Sequence, residues 1–342
     1  MRAALVRIIV TVTSVLFLLL ACSPGGSPAL QVGAQNPVTT PNVPPGLSGR
    51  LLVTRDLGLW TLDLATSRLN QITRPPEMGQ VLTGRWSPDG TRIAYALFQV
   101  KDRRTPASEV VVVGADGSAP RQVLTTEGAG VFYQAPVWDP DGRHLFVLHV
   151  AQTPDERIRR IARVDIDSGE ITTITEELGQ FDVSPDGRWL AVVRATTGPS
   201  SIALIDLQTN EQRILVPERQ YDSVSVVRFD PSSQSVIFSA SQPGVAAGPE
   251  PGLGDLARQF PGFPAPVFAH GPPQDVYRVP VAGGTPTRML PIQADEPVAT
   301  YSPDGSNLAI LSIEALSVMP SAGGNRTKIL SPGGAGSIDW AR

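Results

Sequence analysis

The chain has 342 residues, a formal net charge of −4 and a single cysteine. That length is ample for a folded core, and one cysteine excludes a disulfide framework. The mildly acidic balance excludes a nucleic-acid partner, because KDRR at Lys101 and RIRRIAR at Arg157 are short and read as solvated faces.

In chain order, residues 1–21 read as a secretory signal. Arg2 and Arg7 accompany an apolar run from Ile8 to Leu20, which is short for a spanning helix of about 20 residues. Leu19-Leu20-Ala21-Cys22 closes the run and resembles the lipobox of bacterial lipoproteins. The resemblance implies that Cys22 is diacylated and becomes the new N-terminus, leaving a mature chain that has lost two arginines and no acid. Residues 22–48 are rich in Pro, Gly, Ser and Thr and read as a disordered tether to a domain spanning 49–342. The expected location is extracytoplasmic, lipid-anchored to the bacterial cell membrane.

From residue 85 a motif recurs. RWSPDGTRIAYAL begins at Arg85, VWDPDGRHLFVL at Val137, DVSPDGRWLAVV at Asp182, RFDPSSQSVIFS at Arg228 and TYSPDGSNLAIL at Thr300, and IDWAR at Ile338 begins it once more. Proline fixes φ for the second turn residue, and glycine takes the positive φ of the fourth. With alternating apolar residues on either side, each copy is a β-hairpin. Three of the four intervals between turns are about 45–52 residues, close to the period of a four-stranded propeller blade.

The Ser-Pro-Asp-Gly turn with an aromatic before it resembles the WD40-like repeat of the TolB-type β-propellers. It is also similar to the propellers of the prolyl oligopeptidase family and of LpqB-type lipoproteins. Inner strands ending near Trp86, Trp138, Val183, Phe229, Tyr301 and Trp340 predict an all-β, six-bladed β-propeller of four-stranded antiparallel blades, with seven blades as the alternative. The last blade closes by pairing the strand at Trp340 with RLLVT near Leu51, which leaves no free sheet edge. TolB-type proteins carry an α/β domain ahead of the propeller, where this chain has only the tether.

The fourth turn departs from the pattern. Asp230-Pro231-Ser232-Ser233 lacks the glycine, so Ser233 must take positive φ or the turn must change type. An insertion over residues 242–273 joins strands b and c of the same blade. In an antiparallel blade it shares a face with the longer d–a loops expected at Arg74 and Thr125 and with KDRRTPAS at Lys101. Leu253, Leu256 and Phe260 lie at helical spacing within it, followed by Phe263 and Phe268. These five are the candidate partner-binding residues, with a lid packed on the propeller rim as the other reading.

Chemistry is sparse. His144 and His149 fall on opposite faces of one strand, and His270 stands alone in the insertion. No nucleophile elbow appears, and the DIDSGE segment at Asp165 lacks the oxygen ligands of a calcium loop. No catalytic, cofactor or metal-binding residue is assigned and no enzyme is expected. The expected function is a lipid-anchored interaction or scaffold module, monomeric, that offers its loop-rich face to a protein partner. The alternative is a binding protein for a small ligand, peptide or glycan in the central channel, with Trp60, Trp189 and the tyrosines as stacking surfaces.

Overall fold

The computed structural model describes residues 40–101, 105–127, 131–152, 157–176, 179–194, 200–243, 273–294, 297–334 and 336–342. The first blade holds β1 (Arg50–Arg55), β2 (Gly58–Asp63) and β3 (Arg68–Thr73). The second holds β4 (Gly79–Trp86), β5 (Arg92–Lys101), β6 (Thr105–Gly114) and β7 (Arg121–Glu127). The third holds β8 (Val131–Trp138), β9 (His144–Gln152), β10 (Arg157–Asp165) and β11 (Ile171–Thr175). Next come β12 (Phe181–Val183), β13 (Trp189–Arg194), β14 (Ser201–Asp206) and β15 (Gln212–Val216) in the fourth. The fifth has β16 (Ser223–Phe229), β17 (Ser235–Ser241), β18 (Gln274–Pro280) and β19 (Thr287–Ala294). The sixth has β20 (Val298–Tyr301), β21 (Asn307–Leu311), β22 (Leu316–Pro320) and β23 (Thr327–Leu330), and β24 (Ile338–Ala341) ends the chain.

The strands form six four-stranded sheets, and β24 completes the first in the order β24-β1-β2-β3. Each innermost strand touches the next around the ring, from β24 through β4, β8, β12, β16 and β20 back to β24. This is a closed six-bladed β-propeller, and the seven-bladed alternative falls away. The closure pairs Leu51 with Trp340 and Val53 with Ile338. Ahead of it Gly49 sits at φ +90, where a Cβ would come within 2.3 Å of the Ala341 carbonyl oxygen, so only glycine fits. The chain already lies on the propeller before β1. Asn42 N–H donates to the Ile329 carbonyl, and Val43 and Leu47 pack against the apolar cluster around Trp340.

The repeated turns form as their chemistry dictates. In the second blade Gly90 N–H donates back to the Ser87 carbonyl, while the Ser87 hydroxyl accepts from Arg92 N–H and donates to Asp89 at 2.5 Å. Ser184 and Ser302 repeat that arrangement with Asp186 and Asp304. Gly90, Gly142, Gly187 and Gly305 all take φ between +67 and +75, and Ser233 takes +61 in the fourth turn, which keeps its geometry without the glycine. A second hydrogen bond recurs in every blade. Leu64, Ala115, Ile166, Leu207, Val281 and Ser321 donate their N–H to Gly49, Thr91, Arg143, Arg188, Gln234 and Ser306 respectively. It ties the c–d turn to the start of strand b, so both kinds of tight turn share one face and the b–c and d–a connections lie on the other.

Between blades the cores are apolar. Each repeat aromatic, or Val183 in its place, enters a cluster shared with the preceding blade; Trp86, for example, packs with Leu52 and Leu59. A fully buried Leu or Phe of this kind contributes about 1.5–3 kcal/mol. All five tyrosines are also buried in these clusters.

The loop-rich face is less loop-like than the sequence suggests. KDRRTPAS is mostly strand, because β5 and β6 pair without interruption from Arg92 opposite Gly114 to Lys101 opposite Thr105. Likewise β7 runs to Glu127 and β8 starts at Val131, so most of the segment expected to be a loop after Thr125 extends the second and third blades. Residues 74–78 form the one part of the Arg74 segment outside the strands. Polar composition misled here: the ladder satisfies the backbone, and polar side chains stand off a sheet rim that faces water.

Candidate functional site

The residue before each repeat aromatic points the other way, because side chains alternate along a strand. Around the ring these residues are Asp339, Arg85, Val137, Asp182, Arg228 and Thr300. Arg85 in the second blade donates from Nη2 to Asp182 Oδ1 in the fourth at 3.2 Å, and its Nη1 lies 3.7 Å from Asp339 Oδ1 in the first. A contact that skips the third blade has to cross the axis. An ion pair therefore spans the central channel, close to the face of tight turns.

Two acids in this layer make the same second bond. Asp339 Oδ2 accepts from Trp86 N–H at 2.8 Å, and Asp182 Oδ2 accepts from Phe229 N–H at 2.9 Å. Each carboxylate thereby stitches its blade to the next one. Arg228 is differently placed. Its Nη1 donates to the Val227 carbonyl, its Nε has no partner, and among the described residues it has no carboxylate within ion-pair distance. Burial, then the nearby Arg85, pulls its pKa down to about 9. Burial also raises that of Asp182, outweighing the attraction of Arg85 and Arg228. The channel layer is thus a compact group of two arginines and two aspartates with one guanidinium incompletely satisfied.

The strands that carry it are irregular. Register shifts interrupt β4 near Leu82, β8 near Ala135 and β16 near Val226, and Ala135 and Val226 take φ of +50 and +40. Positive φ is costly for a β-branched residue such as Val226. The bulges re-aim these innermost strands just above the charged layer.

Leu253, Leu256, Phe260, Phe263 and Phe268 lie outside the described residues, as do His270 and Cys22. The strands that flank the insertion are described, and they carry a polar hub. The Ser223 and Ser241 hydroxyls are 2.7 Å apart, Gln274 Nε2 donates to Ser223 Oγ, and Ser225 Oγ donates to Gln274 Oε1 at 2.6 Å. Ser241 and Gln274 are buried, so the insertion leaves and re-enters the fold through a hydrogen-bonded base joining strands a, b and c. Sequence reading missed this hub, since serine and glutamine at strand ends look like ordinary boundary residues.

His144 and His149 stay apart. His149 is buried against the Tyr133 ring and accepts from Arg160 Nε. His144 contacts Asp141 at 2.6 Å, and with Asp139 they form the one cluster of metal-ligating type among the described residues. Arg163 donates to both Asp139 and Asp141 at 2.7 Å, so a side-chain cation already takes the oxygens a metal would need. The aromatic surfaces are occupied in the same way: Arg188 and Arg213 lie over Trp189, and Arg55 over Trp60. Asp165 accepts from the N–H groups of Asp167 and Ser168, as turn chemistry requires. Among the described residues no helix is long and apolar enough to cross a membrane.

No family model and no curated protein matches the chain. Solved structures do. TolB from Acinetobacter baumannii is similar over 87% of this chain and 68% of its own, at 18% identity and a TM-score of 0.65. A chain of the nidogen–laminin complex is similar over 86% of this chain and 99% of its own, at 13% identity and a TM-score of 0.62. An oligogalacturonate lyase in complex with manganese is similar over 80% and 70%, at 17% identity and a TM-score of 0.50. At these identities the likeness is one of fold, and it holds TolB proteins and other propellers in common with this chain.

Proposed function

We propose that this protein is a lipid-anchored, extracytoplasmic β-propeller that docks a protein partner on the face carrying residues 242–273, without catalysing a reaction. The observation that carries the reading is the buried polar hub where β17 and β18 flank that insertion. That hub belongs to a closed ring, and the b–c and d–a connections lie opposite the tight turns. Binding elements concentrate on variable segments held by such scaffolds. The charged layer across the channel supports the same view, since it blocks the axis near the other face. A similar ring also stands in a protein–protein complex, that of nidogen with laminin. The lipobox resemblance and the segment between Cys22 and the propeller supply the anchor.

Crosslinked co-purification of the mature protein tests this against a variant whose residues 242–273 are replaced by a short Gly-Ser link. A partner held by the native form and lost by the folded variant is the expected result. An identical capture by both would move the site elsewhere. Cys22→Ala is expected to release the protein from membranes or leave it unprocessed, read by fractionation and intact mass. An unchanged membrane fraction and mass would remove the anchor from the proposal.

A second reading has one observation in its favour. The unpartnered Nε of buried Arg228 would suit an anionic group entering the channel from the loop-rich side. A thermal-shift screen of small carboxylates and acidic glycans separates it from the first.

A further inference from the structure

The tight-turn face carries a device that recurs at two successive seams and is absent from the later ones. Between the first and second blades, Arg50 lies 4.5 Å over the Trp86 ring and donates from Nη2 to the Gly90 carbonyl at 2.7 Å. Between the second and third, Arg92 lies 4.8 Å over Trp138 and donates to the Gly142 carbonyl at 2.8 Å. Each arginine opens strand b of one blade, and each target is the aromatic and the turn glycine of the next. A guanidinium suits the position because its planar face stacks on a ring while its edge donates in plane.

The same position later in the ring is His144, Trp189, Ser235 and Asn307. His144 is engaged by Asp141, Trp189 is covered by Arg188 and Arg213, and Asn307 is not followed by a further turn. Ser235, between the fifth and sixth blades, is too short to bridge. There a cavity of about 360 Å³ opens, lined by Asp230, Ser235, Arg278, Tyr301, Asp304 and Gly305. Tyr301 takes the place of the tryptophan; it is only 7% exposed, and Ser235 and Arg278 lie beside its hydroxyl. The Gly305 carbonyl accepts from Ser321 Oγ and keeps a second lone pair. Two carboxylates against one guanidinium leave the cleft negative, and Asp304, held to a pKa of about 2 by the Ser302 hydroxyl, stays ionised.

We propose that this cleft receives an arginine side chain from a partner protein, its guanidinium taking the place over Tyr301 and beside Gly305 that Arg50 and Arg92 take over Trp86 and Trp138. The site lies on the tight-turn face, opposite the b–c connections, so it stands or falls independently of the docking proposed for residues 242–273.

The test titrates the purified mature protein with Nα-acetyl-arginine amide and Nα-acetyl-lysine amide, followed by amide chemical shifts. The arginine compound is expected to bind saturably, at least tenfold tighter than the lysine compound, with the largest shifts at residues 230–235 and 301–305. Ser235→Arg fills the cleft from within, so it should abolish binding and raise the melting temperature. Arg278→Ala removes the competing cation and should tighten binding severalfold, which keeps the proposal testable even if the first variant does not fold. Absence of saturable arginine binding, equal binding of lysine, unchanged binding in folded Ser235→Arg, or weaker binding in Arg278→Ala would each overturn it.

Discussion

Asp182 stands between two arginines and a backbone N–H, at the point where the channel is narrow enough for the second and fourth blades to touch. Its worth is conditional. A buried ion pair gains little over a well-packed apolar substitute, but removing one member strands the other. Asp182→Asn keeps the acceptor for Phe229 N–H and removes only the charge, leaving Arg85 and Arg228 close together with Asp339 alone to offset them. We expect a loss of about 3 kcal/mol in urea-induced unfolding, and an unchanged midpoint would show that the channel is wet enough to screen these charges. None of this was legible in the sequence. Arg85, Asp182, Arg228 and Asp339 all sit inside the repeated motif, yet the repeat draws attention to the aromatic beside each one. Only ring geometry reveals that residues 97 positions apart, such as Arg85 and Asp182, meet.

At the scale of the element, the turns were the most readable part of the chain. Ser87-Pro88-Asp89-Gly90 encodes its own geometry, because every residue has one local task and needs no distant partner. The limit of that logic showed at the second and third blades, where polar segments read as loops continue as paired strands. The turn carboxylates also carry a pH signature. Hydrogen bonds from Ser87 and Ser302 hold Asp89 and Asp304 at about 2, below the ordinary aspartate value of 3.8. Backbone N–H donors lower Asp165 and Asp206 in the same direction. A folded-state value below the unfolded one gives stability that is present above about pH 4 and lost as pH falls toward about 2. Melting temperature should therefore drop steadily across that window. A double Asp89→Asn, Asp304→Asn variant should show a flatter drop; parallel curves for the two proteins would place acid sensitivity elsewhere.

Across the whole molecule, closure depends on four residues at the end of the chain. Residues 338–341 supply the innermost strand of the first blade, and Trp340 Nε1 donates to the Ser48 carbonyl while its ring fills the seam with the sixth blade. The sequence announced this arrangement through the unfinished motif IDWAR. Deleting residues 338–342 should leave β1 unpaired on that side and the Trp340 pocket empty. The expected outcome is loss of cooperative thermal unfolding with aggregation, checked by circular dichroism and light scattering. A sharp transition near the native temperature would mean that the other five blades hold the ring alone.

That closure also sets an order of events in the cell. Leu51 finds Trp340 only after the intervening five blades have been made, so this contact is among the most distant in sequence and belongs late in folding. A nascent chain stays an open arc until residues 338–341 arrive. A copy that stops before residue 338 would leave β1 without its partner on that side. The strand at residues 338–341 therefore works as a clasp that shuts the ring once it has been made.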